Sequence, residues 1–221
     1  MEEESPESAP LIQLDVRPPD RALTECRDAR LLILRGLETL HHRPPAELAI
    51  LAAQLRTRGL PLIAIIDGPL AGEVADLALI SHWRIGTQRA SFTFSPRTLA
   101  TSAPGSRSLA EIIGKDRALE LRLTERLVDA LSAVKTGLLQ SLVDSPSEAS
   151  LLARRLADQI GAASPAAIRH VIAAVGQGAT LPLPAALVAE TRLFTSSVIT
   201  ADAREGVAAF FEKRPPRFTG R

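Results

Sequence analysis

The stretch LPLIAIIDG, residues 60–68, limits the possible folds more than any other part of this chain. Residues 62–66 are all apolar and do not alternate with polar ones, so neither face of such a segment can be left to water. That pattern marks a strand in a sheet covered on both sides, the usual situation of parallel strands layered by helices. A second run, ARLLILRG at 29–36, has the same character. Between the two, AELAILAAQLRTRG carries helical spacing and ends at Gly59, a stop position. Upstream, LIQLDV alternates as a strand does and is halted by Pro18-Pro19.

Downstream, AGEVADLALIS reads as a helix and WRIGTQRASFTFS as one or two short strands. PRTLATSAPGSR, 96–107, is a long polar loop. From 108 the pattern is almost wholly helical, with helices expected over 108–123, 126–141, 147–161, 164–175 and 183–213. Strands interleaved with helices, then helices alone, define an α/β core with an α-helical C-terminal extension. The expected organisation is a disordered tail over 1–10, an α/β core over 11–160 and a helical region over 161–221.

The net charge of +1 is spread along the chain rather than banked, which argues against nucleic acid as a partner. No apolar run reaches membrane-spanning length, and the N-terminus is acidic rather than signal-like. Cys26 is the single cysteine, so no internal disulfide or thiolate zinc site forms, and Glu25 and Asp28 would discourage a thiolate. These features predict a soluble cytoplasmic protein. There is no G-x-S-x-G elbow, dinucleotide fingerprint or Walker motif. His41-His42 have no accompanying carboxylate cluster, so they read as loop histidines and no metal is expected. His82 and His170 read as partly buried residues on helix surfaces.

The segment PLIAIIDGPLAGEVADLALISHWRIGTQRASF resembles the central motif of the crotonase superfamily, the enoyl-CoA hydratase/isomerases. DAREGVAAFFEKRPPRF resembles its closing signature, LIQLDVRPPD its opening strand, and LVDALSAVKTGLL its "A…A…GLV" segment. The resemblance covers nearly the whole chain after residue 10. It implies a crotonase-like ββα spiral core with a helical C-terminal region that forms trimers or dimers of trimers. It also implies an acyl-CoA or carrier-bound acyl thioester as partner, with coenzyme A entering only as part of the substrate and no other cofactor.

Gly68 and Gly72 flank a turn that delivers a helix N-terminus, where unpaired N–H groups and the helix dipole suit an anionic oxygen. By resemblance the backbone N–H of Glu73 is one of two donors that hold a thioester enolate oxygen. Asp76 falls where many hydratases carry an acid/base glutamate. It has one methylene fewer, and a misplacement on the order of 1 Å can cost about 100-fold in rate. The other reading of Glu73 and Asp76 is that they are first-turn acids, stabilising the helix by ~0.3–1 kcal/mol each.

Two family features are missing. Ser95-Pro96-Arg97 stand where hydratases have a second glutamate. The loop that supplies the other oxyanion donor matches LHHRPP, 40–45, where Pro44 and Pro45 have no N–H and only His42 or Arg43 could donate. Losing one such donor typically costs about 100–1000-fold. Arg97 and Arg107 could bind a CoA or carrier phosphate, since guanidinium suits phosphate geometry; the alternative is that they are solvated loop residues. Two functions are thus expected. One is a hydratase/isomerase-type enzyme, a lyase or isomerase with reduced or altered activity, with Asp76 and the Glu73 N–H as its catalytic groups and Gly68, Gly72, Arg43, Arg97 and Arg107 binding substrate. The other is a noncatalytic accessory homologue, a pseudoenzyme supporting a partner enzyme in a polyketide-type pathway.

Overall fold

The computed structural model describes residues 12–15, 29–96 and 105–220. Residues 1–10, Cys26 and Arg97 lie outside the described residues. Five parallel strands form the main sheet in the order β1-β2-β3-β5-β8: β1 (Ile12–Asp15), β2 (Leu32–Arg35), β3 (Leu62–Ile66), β5 (Trp83–Thr87) and β8 (Ser141–Val143). A smaller sheet has the order β4 (Pro69–Ala71), β6 (Ser91–Thr93), β7 (Val128–Asp129), with β6 and β7 antiparallel. A 3-10 turn (Leu37–His42) and helix α1 (Pro45–Thr57) join β2 to β3, and helix α2 (Glu73–Ala78) follows β4. The chain therefore steps from the large sheet to the small one twice, at β3–β4 and again at β5–β6. Asp67 ties these two corners together. It accepts the Thr87 hydroxyl at 2.6 Å and is ion-paired with Arg89.

The apolar run of β3 is buried along its whole length, and its two faces serve different layers. Leu62, Ala64 and Ile66 join Leu32, Leu34, Leu48, Leu51 and Val74 in the larger core, beneath α1 and α2. Ile63 and Ile65 join Ile33 and Ile85 on the opposite face, against Ala149, Ala153 and Ala157. Those alanines lie on helix α6 (Pro146–Gly161), spaced four apart on one face, and their small size brings the helix close to the sheet. Alternation along each strand sorts the residues between layers, and each fully buried Leu or Ile contributes roughly 1.5–3 kcal/mol. The Arg84 guanidinium, on β5, is buried: it donates to the Leu138 carbonyl at 2.6 Å and to that of Ser81, and desolvation brings its pKa down to about 10.

Several helices differ from the sequence expectation. The helix expected from 108 begins at Gly105 and divides at Gly114, whose φ of 86° breaks it into α3 (Gly105–Ile113) and α4 (Lys115–Thr124). The helix expected over 126–141 is β7, the short helix α5 (Ala130–Thr136) and β8. Asp129 caps α5 by accepting the Ser132 N–H, Gly137 ends it in the left-handed conformation, and β8 then pairs with the edge of β5. The helix expected over 183–213 is two, α8 (Leu183–Val198) and α9 (Ala201–Glu212), because the Thr200 hydroxyl caps a new helix start. The loop LHHRPP expected at 40–45 holds the end of the 3-10 turn and the first residue of α1. His82 is not on a helix: it precedes β5, and its Nδ1 accepts the Leu62 N–H at 3.0 Å.

Helix α7 (Pro165–Gly178) packs against α8, and its His170 Nδ1 lies 2.5 Å from Ser197 Oγ on α8. The end of the chain folds back over these helices and is pinned by Asp202, which accepts the N–H groups of Thr219 (2.7 Å) and Gly220 (3.0 Å) and the Ser164 hydroxyl (2.6 Å). Arg30, just before β2, donates to the Phe218 carbonyl at 2.7 Å and so ties this tail to the core.

Asp67, Asp202 and Glu205, which pairs with Arg214 at 2.6 Å near the end of the chain, are more acidic than usual. Burial alone would raise the Asp67 and Asp202 pKa values. Hydrogen bonds from Arg89 and Thr87 outweigh it at Asp67, and those from Ser164, Thr219 and Gly220 outweigh it at Asp202. Arg214 and the Arg217 N–H bring Glu205 down to about 2. A depressed native pKa adds stability above the unfolded value and loses it as pH falls through the native one. The melting temperature is therefore expected to drop steadily between about pH 5 and pH 2. Asp202→Asn is expected to flatten that slope in a series of melting curves.

Candidate active site

The corner after β3 builds the site. Gly68 leaves the large sheet with its Cα close to Glu38; a Cβ there would sit 3.5 Å from Glu38 Cβ. Three residues of β4 follow, and at Gly72 the backbone takes φ 57°, ψ −128°. Only glycine adopts that conformation without strain, so the sharp turn into α2 depends on it. The Gly72 N–H donates to the Thr93 carbonyl at 2.9 Å, and its carbonyl receives the Asp76 N–H at 3.1 Å as the first turn of α2. The Glu73 amide is thus the first of the helix, at the positive end of its dipole.

Asp76 does not stand open in this site. Its residue is 3% exposed, and Oδ1 accepts from Arg122 Nη2 at 2.5 Å; Arg122 is itself buried. Arg122 comes from α4 and also donates to the Ser95 carbonyl at 3.1 Å, with its guanidinium 5.7 Å from the centre of the Phe94 ring. Phe94 is fully buried and stacks on Phe92 at 6.2 Å. On another side the carboxylate lies against Gly105, where a Cβ would fall 2.4 to 2.7 Å from its atoms. Arg122 therefore bridges the helix that carries Asp76 and the segment after β6, at Ser95. Sequence reading missed it because an arginine in KDRALELRLTER looks like part of a solvated helix face. The available signal was its place beside Leu121 and four beyond Ala118, both buried on that helix.

Gly105→Ala is expected to lower stability by about 1–3 kcal/mol, because the new methyl must displace a short, ion-paired carboxylate. Thermal or urea melts would measure it, and an unchanged midpoint would refute the close packing.

The other expected groups are dispersed. The Arg43 guanidinium pairs with Glu47 at 2.9 Å, and its N–H closes the 3-10 turn on the Leu40 carbonyl at 2.9 Å. Pro44 and Pro45 begin α1. The His41 Nε2 lies 2.9 Å from the Pro69 carbonyl, which holds this turn against β4. Arg107 is exposed and pairs with Glu111 at 2.7 Å. Among the described residues, no group of His, Cys, Asp and Glu could hold a metal, and no helix is long and apolar enough to cross a membrane.

A chain that steps repeatedly between two sheets, with a glycine turn opening a helix at the corner, defines a crotonase-type α/β protein. A sequence model of the enoyl-CoA hydratase/isomerase family matches residues 40–221. The 2,3-dehydroadipyl-CoA hydratase of Escherichia coli K12 is 33% identical over 172 residues, 76% of this chain and 67% of that protein. A Rhodobacter capsulatus protein assigned as an enoyl-CoA hydratase is 38% identical over 165 residues, and the match spans only 63% of that relative's length. The enoyl-CoA hydratase of Bacillus anthracis superposes with a TM-score of 0.74 at 27% identity, over 95% of this chain and 91% of that one. The chain belongs to the enoyl-CoA hydratase/isomerase family.

Proposed function

We propose that this protein binds an acyl thioester, acyl-CoA or carrier-bound, at the turn from Gly68 to Glu73, and that its hydratase chemistry is reduced or altered. The carrying observation is the buried Asp76–Arg122 pair. A carboxylate held by a guanidinium at 2.5 Å and packed on Gly105 is poorly placed to exchange protons with a substrate. The Glu73 N–H remains suited to the thioester oxygen, where charge would gather on forming an enolate. Coenzyme A would enter as part of the substrate, with no further cofactor, and the exposed Arg107 would meet its phosphates, with Arg97 the second candidate from the sequence. The protein would act in the cytoplasm.

A second reading, a noncatalytic accessory homologue serving a partner enzyme, is favoured by the other oxyanion loop. There the Arg43 N–H is committed to Leu40 and the next two residues are prolines. A homotrimer or hexamer is proposed in either case. The C-terminal helices leave Leu183, Phe194, Phe210 and Phe211 exposed, an apolar surface suited to a neighbouring subunit.

Thermal melting with a panel of CoA, acetyl-, butyryl-, crotonyl- and octanoyl-CoA tests the reading, since a ligand that binds only the native state raises Tm. Stabilisation by acyl-CoAs is expected, together with crotonyl-CoA hydration at least about 100-fold slower than a working hydratase. No shift with any of them would discard the small-ligand reading and leave protein partnership. Robust hydration lost in Asp76→Ala would discard the accessory one.

A further inference from the structure

We infer that Arg122 is a positioning residue that locks Asp76 out of proton transfer, so that the altered chemistry depends on one side chain of α4; this rests on the acyl-thioester reading above. Four observations converge on it. Arg122 is 6% and Asp76 3% exposed, so neither charge is shared with bulk water. The guanidinium spans from the Asp76 carboxylate at 2.5 Å to the Ser95 carbonyl at 3.1 Å, which fixes it at both ends. The Phe94 ring, 5.7 Å away, supports the cation. Gly105 closes the opposite side of the carboxylate, so Asp76 cannot rotate away from Arg122 without meeting the α3 backbone. No other part of the turn is disturbed: Gly72 has its special conformation and the Glu73 amide opens the helix. The turn that would present the Glu73 amide is formed, and the acid/base group is held.

Removing the guanidinium should therefore restore a defined step. Asp76 would take a proton from the carbon next to the thioester carbonyl, and the electron pair of that C–H bond would move to give the enolate. The enolate oxygen would be held by the Glu73 N–H. The carboxylic acid would exchange its proton with solvent deuterium and return a deuteron to the same carbon. No bond to the thioester sulfur breaks, and nothing is oxidised or reduced.

The experiment follows deuterium incorporation at C2 of butyryl-CoA in D2O by NMR, with binding measured in parallel by the thermal shift that butyryl-CoA produces. Arg122→Met keeps most of the side-chain volume without the charge, and is expected to raise the exchange rate at least about 10-fold over the unmodified protein. That gain should vanish in Arg122→Met/Asp76→Asn, and Arg122→Lys, which keeps a cation, should stay at the unmodified rate. Should the methionine variant fail to fold, Arg122→Gln carries the same expectation with an N–H donor left at Asp76. A folded Arg122 variant that still binds butyryl-CoA but exchanges no faster overturns the inference, as does a gain that survives Asp76→Asn. Loss of the thermal shift in every protein, the unmodified one included, instead overturns the acyl-thioester reading.

Discussion

Replacing Arg122 by alanine is expected to lower folding stability by about 3–5 kcal/mol, which is the typical result of removing one partner from a buried ion pair. Both residues are below 10% exposed and the contact is 2.5 Å, so the Asp76 carboxylate would be left without this guanidinium in a site with little water. Equilibrium urea unfolding is the direct measurement, with the effect seen in the midpoint rather than the slope. The pairwise nature of the effect gives a sharper check. Asp76→Leu combined with Arg122→Met removes both charges and is expected to be more stable than Arg122→Ala alone, since a buried ion pair replaced by apolar groups of similar volume is often neutral or stabilising. A double variant as unstable as the sum of its parts would mean that the two residues act separately.

Phe94→Ala is expected to be of similar size, about 3–5 kcal/mol, because a fully buried ring leaves a cavity that the surrounding structure cannot close. Part of that loss is the ordinary core term, shared with Phe92 on which it stacks. The remainder belongs to the site, because the ring also supports the Arg122 guanidinium. Phe94→Leu separates the two contributions by restoring volume without the aromatic face. It should recover most of the stability, so a leucine variant as unstable as the alanine one would point to the cation contact instead of the cavity.

Much of the architecture was legible before the structure. The non-alternating run at 62–66 required a strand covered on both faces, and β3 is buried along its full length between two layers. The turn at Gly72 was legible as well, because a glycine just before a helical pattern marks a backbone that other residues resist adopting. The boundaries after residue 105 were not. Gly114, Asp129 and Thr200 each end or restart a helix, yet local spacing alone lets helical periodicity run past them. β7 and β8 have two and three residues, and they are strands only because distant partners, β6 and β5, supply their hydrogen bonds.

The candidate site divides along the same line. The sequence by itself placed Asp76 one turn from the first helix amide, because Asp76, Glu73 and Gly72 lie within one turn and their relation is local. It also fixed the two missing N–H groups at Pro44 and Pro45, since proline chemistry does not depend on context. Only the tertiary structure decided what Asp76 touches. Its partner Arg122 is 46 residues away and its wall, Gly105, comes from a third helix. Burial and pairing are properties of packing between elements, and no spacing along the chain encodes them.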